Sequence, residues 1–407
     1  MTNEQQVICN LIAKTLFGAE SEFSPEISWN DVYLECIRQT IPGMVVSAIP
    51  PEAPFEVRMK WINASGVNSA SNQKVSEGHF EIHKLLTENQ IPYTILKGLA
   101  TASYYPDPDM RSLGDVDFLI RNEDAERCDR LLTEKGFSAE ENRLPYEWGY
   151  MKGTLEYELH LSINGIPEGD AKLVTEGYLS DIIETSVLSD AYAEELKLPD
   201  DFHHGLVILL HTAKHMVGEG VGFRQICDWA VFVSRLGERF PALFEEALKK
   251  IGIWNYALIL SAVCSKYIGM PIFSWMENFE DDFLELVMED LLRKGNLRKE
   301  ADSGVDTIMV EKTDSGGVAE GSMLIQLYKN LAQKTKYKWP VMNRKKVLIP
   351  FGVAVMCIQY GAGTLSGKYK KINPKKLVKN AEARRRLYRE LQLFKENEDN
   401  AEENENV

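Results

Sequence analysis

The sequence has only six cysteines in 407 residues. Cys9, Cys36, Cys128, Cys227, Cys264 and Cys357 are scattered, with no C-x-x-C pair among them, which excludes a disulfide framework and a cysteine-built zinc site. Most have apolar neighbours, so reduced, buried thiols are expected. The N-terminus lacks the basic start of a secretory signal, reading Met1-Thr2-Asn3-Glu4-Gln5-Gln6. The apolar run Val347–Tyr360 contains Pro350 and Gly352 and falls short of the ~20 residues a membrane span needs. No internal repeat is visible, which argues against a solenoid. Together these absences lead us to expect a cytoplasmic protein built of two or three domains.

Charge is present but unevenly placed. The net charge is −15. From Leu324 to Lys395 there are 18 basic residues against two acidic ones, Glu382 and Glu390, while the last 12 residues hold six acids and no base. The first 323 residues therefore carry −25. Such a body repels polyanions, so nucleic acid is not the expected partner. The basic flanks of the apolar run (Arg344, Lys345, Lys346, then Lys368, Lys370, Lys371) would permit peripheral contact with anionic lipid. The expectation is instead a buried helix whose basic neighbours dock on the acidic body.

The order of local patterns gives the organisation. Residues 1–90 are expected to be helical: Glu4–Leu16 and Asp31–Ile41 each show one apolar face, and a long run from Val57 to Asn89 stops before Pro92. Residues 91–168 change texture. Tyr93–Leu96 is β-prone, Leu99–Tyr105 helix-like, and Pro106–Gly114 turn-rich. Asp115–Ile120 alternates with period two and predicts a strand. Asp124–Lys135 predicts a helix, and Tyr146–Lys152 with Leu155–Ile163 an antiparallel hairpin about Gly153. No series of βα repeats follows, which excludes a doubly wound sheet. Residues 169–294 are again expected to be helical, with Gly205–Met216, Gln225–Leu236, Pro241–Tyr267 and Asp281–Lys294 as helices. Residues 295–322 read as a flexible loop, 323–395 as a basic helical region and 396–407 as an acidic disordered tail. The fold class expected is α+β, a mixed sheet with flanking helices between helical N- and C-terminal regions.

One patch carries chemistry. In a strand Asp115 and Asp117 project from the same face, while Val116, Phe118 and Ile120 pack inward. Adjacent carboxylates repel unless solvated or bound to a cation. Oxygen ligands suit magnesium, and two such ions can stabilise the attacking and leaving oxygens of a phosphoryl displacement. Gly98 lies where a strand turns into a helix and would let phosphate approach the helix start. Lys97 and Arg111 are candidate cations for a triphosphate. The second hairpin strand offers Glu156, Glu158 and His160 on one face, so a third carboxylate is available to complete the site and deprotonate an acceptor hydroxyl.

Leu96-Lys97-Gly98, Tyr105-Pro106, Arg111, Asp115-Val116-Asp117, Gly136-Phe137 and Glu158-Leu159-His160 together resemble the nucleotidyltransferase superfamily of DNA polymerase beta-like fold. More narrowly they resemble the bacterial family of uncharacterised nucleotidyltransferases, over about residues 60 to 240. The resemblance implies that Asp115, Asp117 and Glu158 hold two magnesium ions, and that Gly98 faces the phosphates of a nucleoside triphosphate. It further implies that His160, His215, Arg224 and Asp228 belong to the nucleotide-binding face. The sequence departs from the superfamily at Leu99, where a serine or glycine usually follows the glycine. It departs again in spacing, Asp115 lying 17 positions after Gly98.

The simpler readings differ by residue. Arg111 could pair with Asp107 or Asp109 within its own loop. His211 and His215, four apart on a helix, could bind zinc only with a third ligand, and hydrogen-bonded helix residues are the plainer expectation. His79 and His83 are expected in the core or on a solvent face. The expected activity is transfer of a nucleoside monophosphate to the hydroxyl of a small-molecule or protein acceptor. The alternative is a catalytically inactive nucleotide-sensing or partner-binding module on the same fold.

Overall fold

In a computed structural model of the chain, the described residues are 1–292 (except 22, 25, 142, 168–169, 190, 193–194 and 218–220), together with parts of 328–365 and of 387–393. The chain opens with α1 (Asn3–Phe17), begun by a capping box. The Thr2 hydroxyl accepts from the Gln5 amide N–H, and the Gln5 side chain accepts from the Thr2 amide. Two shorter helices follow, α2 (Trp29–Arg38) and α3 (Pro42–Val45). Then comes α4 (Phe55–Glu88), 34 residues long and so about 50 Å from end to end.

α4 serves two cores. Val57 and Trp61, near its start, join a large apolar core with buried residues of α1–α3 and of the later helices. Val75, Ile82, Leu85 and Leu86, near its end, pack beneath the sheet with Ile95, Phe118, Tyr150 and Leu159. Between them Asn72 is buried and ties the helix to the loop ahead of β2. Its amide donates to the Arg111 carbonyl at 2.9 Å, and its side-chain oxygen accepts from the Leu113 amide at 2.9 Å.

The sheet has five strands in the order β1-β2-β5-β4-β3: β1 (Tyr93–Ile95), β2 (Val116–Ile120), β3 (Ser138–Ala139), β4 (Glu147–Lys152) and β5 (Leu155–His160). β4 and β5 form the expected antiparallel hairpin, and β2 pairs antiparallel with β1. β2 and β5 run parallel, with Asp117 opposite Glu158 and Leu119 opposite His160. The sheet is thus mixed, as expected. α5 (Lys97–Ala102) follows β1, and α6 (Ala125–Glu134) follows β2.

Beyond the sheet come α7 (Asp170–Leu179), a hairpin of β6 (Val187–Ser189) and β7 (Leu196–Leu198), then α8 (Asp201–Val217), α9 (Phe223–Leu236), α10 (Phe240–Ile251), α11 (Trp254–Ile268) and α12 (Asp281–Leu292). Three local expectations need correction. The single helix expected over Pro241–Tyr267 is two, because Gly252 turns left-handed at φ +80° and caps α10. The β6–β7 hairpin falls in a stretch read as helical, and its three-residue strands are too short to show a period. Asp115 precedes β2, since pairing with β5 starts at Val116 opposite Tyr157.

A last helix, Ile349–Leu365, covers the apolar run. Ile349 and Val353 are buried against Met342, whereas Val347, Phe351 and Ile358 are exposed, so the expected burial holds for one face alone. No described helix is long and apolar enough to cross a membrane. The loop expected over 295–322 and the acidic tail expected over 396–407 lie outside the described residues, as does most of the basic region 323–395.

Candidate active site

Two elements meeting at β2 create the centre. Parallel pairing sets Asp117 of β2 directly beside Glu158 of β5, and His160 lies two residues on along the same face. Asp117 is 2% exposed. A carboxylate so buried needs partners, and it has two. Lys97 Nζ donates to Asp117 Oδ1 at 2.8 Å, and His160 Nε2 donates to the same oxygen at 2.7 Å. Lys97 Nζ also lies 3.5 Å from Glu158 Oε2, and His160 Nε2 lies 3.3 Å from it.

The electrostatics follow from this crowding. Burial alone would raise the Asp117 carboxyl, but the Lys97 ammonium and the His160 hydrogen bond hold it well below the usual carboxylate range. Burial would lower the Lys97 ammonium, yet Asp117 and then Glu158 push it above its ordinary value. For His160, burial and Lys97 act downward and are outweighed by the bonds to Asp117 and Glu158, so it is raised. For Asp115 the opposing pull of Lys97 and Arg224 is outweighed. The charge of Asp117 first, then burial and Glu158, push its carboxyl up to about 7.

Lys97 reaches this position at a cost. It has φ +46°, left-handed and uncommon for a side chain with a Cβ. The sharp turn from β1 into α5 therefore falls on the lysine, not on Gly98. A Cβ at Gly98 would meet Leu113 at 3.7 Å and Arg111 at 3.8 Å, ordinary contacts. What glycine contributes there is open space on the cavity side.

That cavity measures about 580 Å³, the size of a small-molecule site. Asp115, Asp117, Glu158, Lys97, Gly98, Arg111, His215, Arg224 and Asp228 all line it. His160 does not line it and lies behind Asp117. Arg111 pairs neither with Asp107 nor with Asp109. Its Nε and Nη2 each donate to Asp228 at 2.8 Å, a buried two-point pair in which Asp228 also accepts from the Tyr105 hydroxyl at 2.8 Å. Two members of the expected nucleotide face are thereby committed to each other. Arg224 donates to the Ser112 carbonyl through Nη1 at 3.3 Å, and its buried Nε has no hydrogen-bond partner. Burial, then repulsion from Arg111, lowers the Arg224 guanidinium from its ordinary value.

α8 supplies the facing wall. His211 and His215 sit edge to face with centroids 4.3 Å apart. Burial, then His215 and Lys97, drive His211 well below its usual range, and its Nδ1 is buried without a partner. His79, by contrast, is a core residue bonded to the Val75 carbonyl at 2.9 Å, and burial holds it down to about 4.

Tyr146, Glu147, Asn164 and Lys214, which are not among the site residues expected from the sequence, also line the cavity. Glu147 is paired in register with His160, a relation the hairpin alternation contains once its turn is fixed at Gly153. Asn164 and Lys214 come from a loop and from α8, and nothing local marks them.

The donors fit a divalent cation. Ligand atoms of Asp117, Glu158 and His160 all lie within 4.8 Å of one another. The raised Asp115 signals negative charge in excess of what Lys97 neutralises. His160 offers its nitrogen to a metal only if Nε2 gives up the bond to Asp117, so the carboxylate oxygens of Asp117 and Glu158 are the ligands that face the cavity.

Residues 25–269, well over half of the chain, match the sequence profile of a family described as uncharacterised nucleotidyltransferase. Comparison with curated proteins gives no match.

Proposed function

This chain belongs to the family of uncharacterised nucleotidyltransferases, and on that premise we propose that it transfers a nucleoside monophosphate from a nucleoside triphosphate to an acceptor hydroxyl. The observation that carries this reading is the β2–β5 register, which puts Asp117 beside Glu158 on the floor of the cavity. Asp115, Asp117 and Glu158 would hold two magnesium ions, in the manner of the polymerase beta-like superfamily of bacterial and other enzymes. Such ions, when bound, neutralise the charge that develops on the attacking and leaving oxygens.

The chain's own residues supply the rest. Arg224 and Lys97, with the amides at the start of α5 beside Gly98, bind and orient the triphosphate. Arg111 and Asp228 hold the wall against which Arg224 stands. His160 keeps Asp117 ionised and aligned through the Nε2 bond. Glu158 takes the proton of the acceptor hydroxyl as its oxygen bonds to the α-phosphorus. The bond from that phosphorus to the bridging oxygen breaks, and pyrophosphate leaves. Release of pyrophosphate from ATP or GTP with magnesium, measured with and without acceptors, tests the proposal. Protein that binds nucleotide tightly yet releases none would overturn it.

That outcome is the second reading, a nucleotide-sensing or partner-binding module, and one observation favours it. Lys97 already compensates Asp117 and Glu158. Under the catalytic reading the lysine must leave these carboxylates when the cation arrives, and a triphosphate offers it a new partner.

Asp115 makes the cation's effect measurable. The neighbouring Asp117 charge pushes its carboxyl up to about 7 in the folded protein, against an ordinary value of 3.8. Between those limits the folded chain binds a proton that the unfolded chain has released, so stability falls as pH rises. The loss is complete above about 7. Metal-free protein should therefore melt lower at pH 8 than at pH 5.5, with a shallower slope in Asp115→Asn. Magnesium should flatten the wild-type slope by favouring the ionised carboxylate. A wild-type slope equal to that of Asp115→Asn would show that Asp115 is not under this strain.

A further inference from the structure

The cavity has two walls of different chemistry, and the proposed transfer uses one of them. α5 supplies Lys97 and Gly98 and α9 supplies Arg224, while Val207 and Ile208 of α8 offer apolar side chains suited to a base. A second part of the lining comes from the start of β4 (Tyr146, Glu147), the loop after β5 (Asn164) and Lys214 of α8, and forms a rim of the cavity. The Asn164 amide donates to Glu147 Oε2 at 2.8 Å, and Lys214 Nζ lies 3.4 Å from Asn164 Oδ1. Glu147 Oε2 stands 3.4 Å from His160 Nδ1, a buried nitrogen without a hydrogen-bond partner. The rim thus adjoins Asp117 and Glu158 while belonging to neither the metal set nor the phosphate wall.

Resting on the nucleotidyl-transfer reading, we propose that this rim is the acceptor subsite and that its acceptor is a small saturated-ring polyol, a sugar or an aminocyclitol. Three observations support this class. Glu147 retains Oε1, an acceptor that can take hydrogen bonds from adjacent ring hydroxyls, and Asn164 fixes the carboxylate's orientation. Tyr146 is 41% exposed and presents a flat apolar ring with a polar tip, against which the C–H face of a saturated ring can lie. The cavity's ~580 Å³ suits small molecules, and the net charge of −15 disfavours a polyanionic acceptor. The acceptor hydroxyl then meets Glu158, which stands on the strand paired with β4.

Saturation-transfer difference NMR on the full chain tests the assignment. Glucose, N-acetylglucosamine and streptamine are each presented to protein loaded with magnesium and a non-hydrolysable ATP analogue. Ring-proton signals from the sugars would identify the sugar source, and signals from streptamine the aminocyclitol source. Glu147→Gln and Tyr146→Ala should each weaken that binding at least about tenfold, as expected of one lost contact to a charged or aromatic group. Affinity for the ATP analogue is measured separately on every variant and should change far less. If none of the three compounds gives a signal, or the signal survives both substitutions, the subsite assignment is wrong. If wild-type protein fails to take up the analogue, the nucleotidyl-transfer reading itself is wrong, and the polyol arm is then read on unloaded protein.

Discussion

Asp117→Asn should lower nucleotidyl transfer by at least about a thousandfold, the scale of losing one preorganised charge at a reacting centre. The substitution keeps the shape and removes the charge that holds Lys97 at 2.8 Å and His160 at 2.7 Å. The lost cation ligand and the freed lysine act together, so turnover should fall much more than nucleotide affinity. Isothermal titration with a non-hydrolysable triphosphate and a pyrophosphate-release assay separate the two quantities. Equal activity in wild type and Asp117→Asn would remove Asp117 from the reaction. Asp115→Asn should be milder on folding, because it relieves repulsion from Asp117 and Glu158 where Asp117→Asn breaks an attraction.

Arg111→Ala should destabilise the fold by about 3–5 kcal/mol, the usual penalty for leaving one member of a buried ion pair without its partner. Among the described residues Asp228 would keep the Tyr105 hydroxyl as its hydrogen-bond donor, and the loop that Asn72 ties to α4 would lose its anchor on α9. Replacing both partners by apolar residues, Arg111→Met with Asp228→Leu, should recover much of the loss, because no charge is then stranded. Urea unfolding of the two single variants and the double gives the coupling directly. A single-variant loss under about 1 kcal/mol, no more than an exposed pair would give, would mean the pair is not buried in solution. Activity in the double variant should remain low, since Arg224 would lose the wall that faces it.

Much of this site is legible in the sequence. Period-two alternation places Asp117 on one strand face and Glu158 on another, and the Gly153 turn fixes the hairpin register between β4 and β5. The turn-rich loop before β2 and the helix end ahead of Pro92 are equally local. Such features depend on residues a few positions apart, where backbone geometry alone decides.

Other features were decided by packing across the chain. The parallel pairing of β2 with β5 joins segments some 40 residues apart and brings two carboxylates side by side. Arg111 was legible as a cation but not as the partner of Asp228, 117 positions away. Only the meeting of the loop before β2 with α9 commits it to Asp228 and leaves Arg224 with an unpartnered Nε on the cavity wall. The left-handed turn fell on Lys97, beside the glycine that looked suited to it, because the lysine's ion pairs with Asp117 and Glu158 offset the strain. The sequence by itself determined the residue types, strand faces and helix ends of this protein, which are local properties. The tertiary structure decided which charges meet, and burial then determined which remain available for a ligand, because a charge removed from water must find its partner inside the fold.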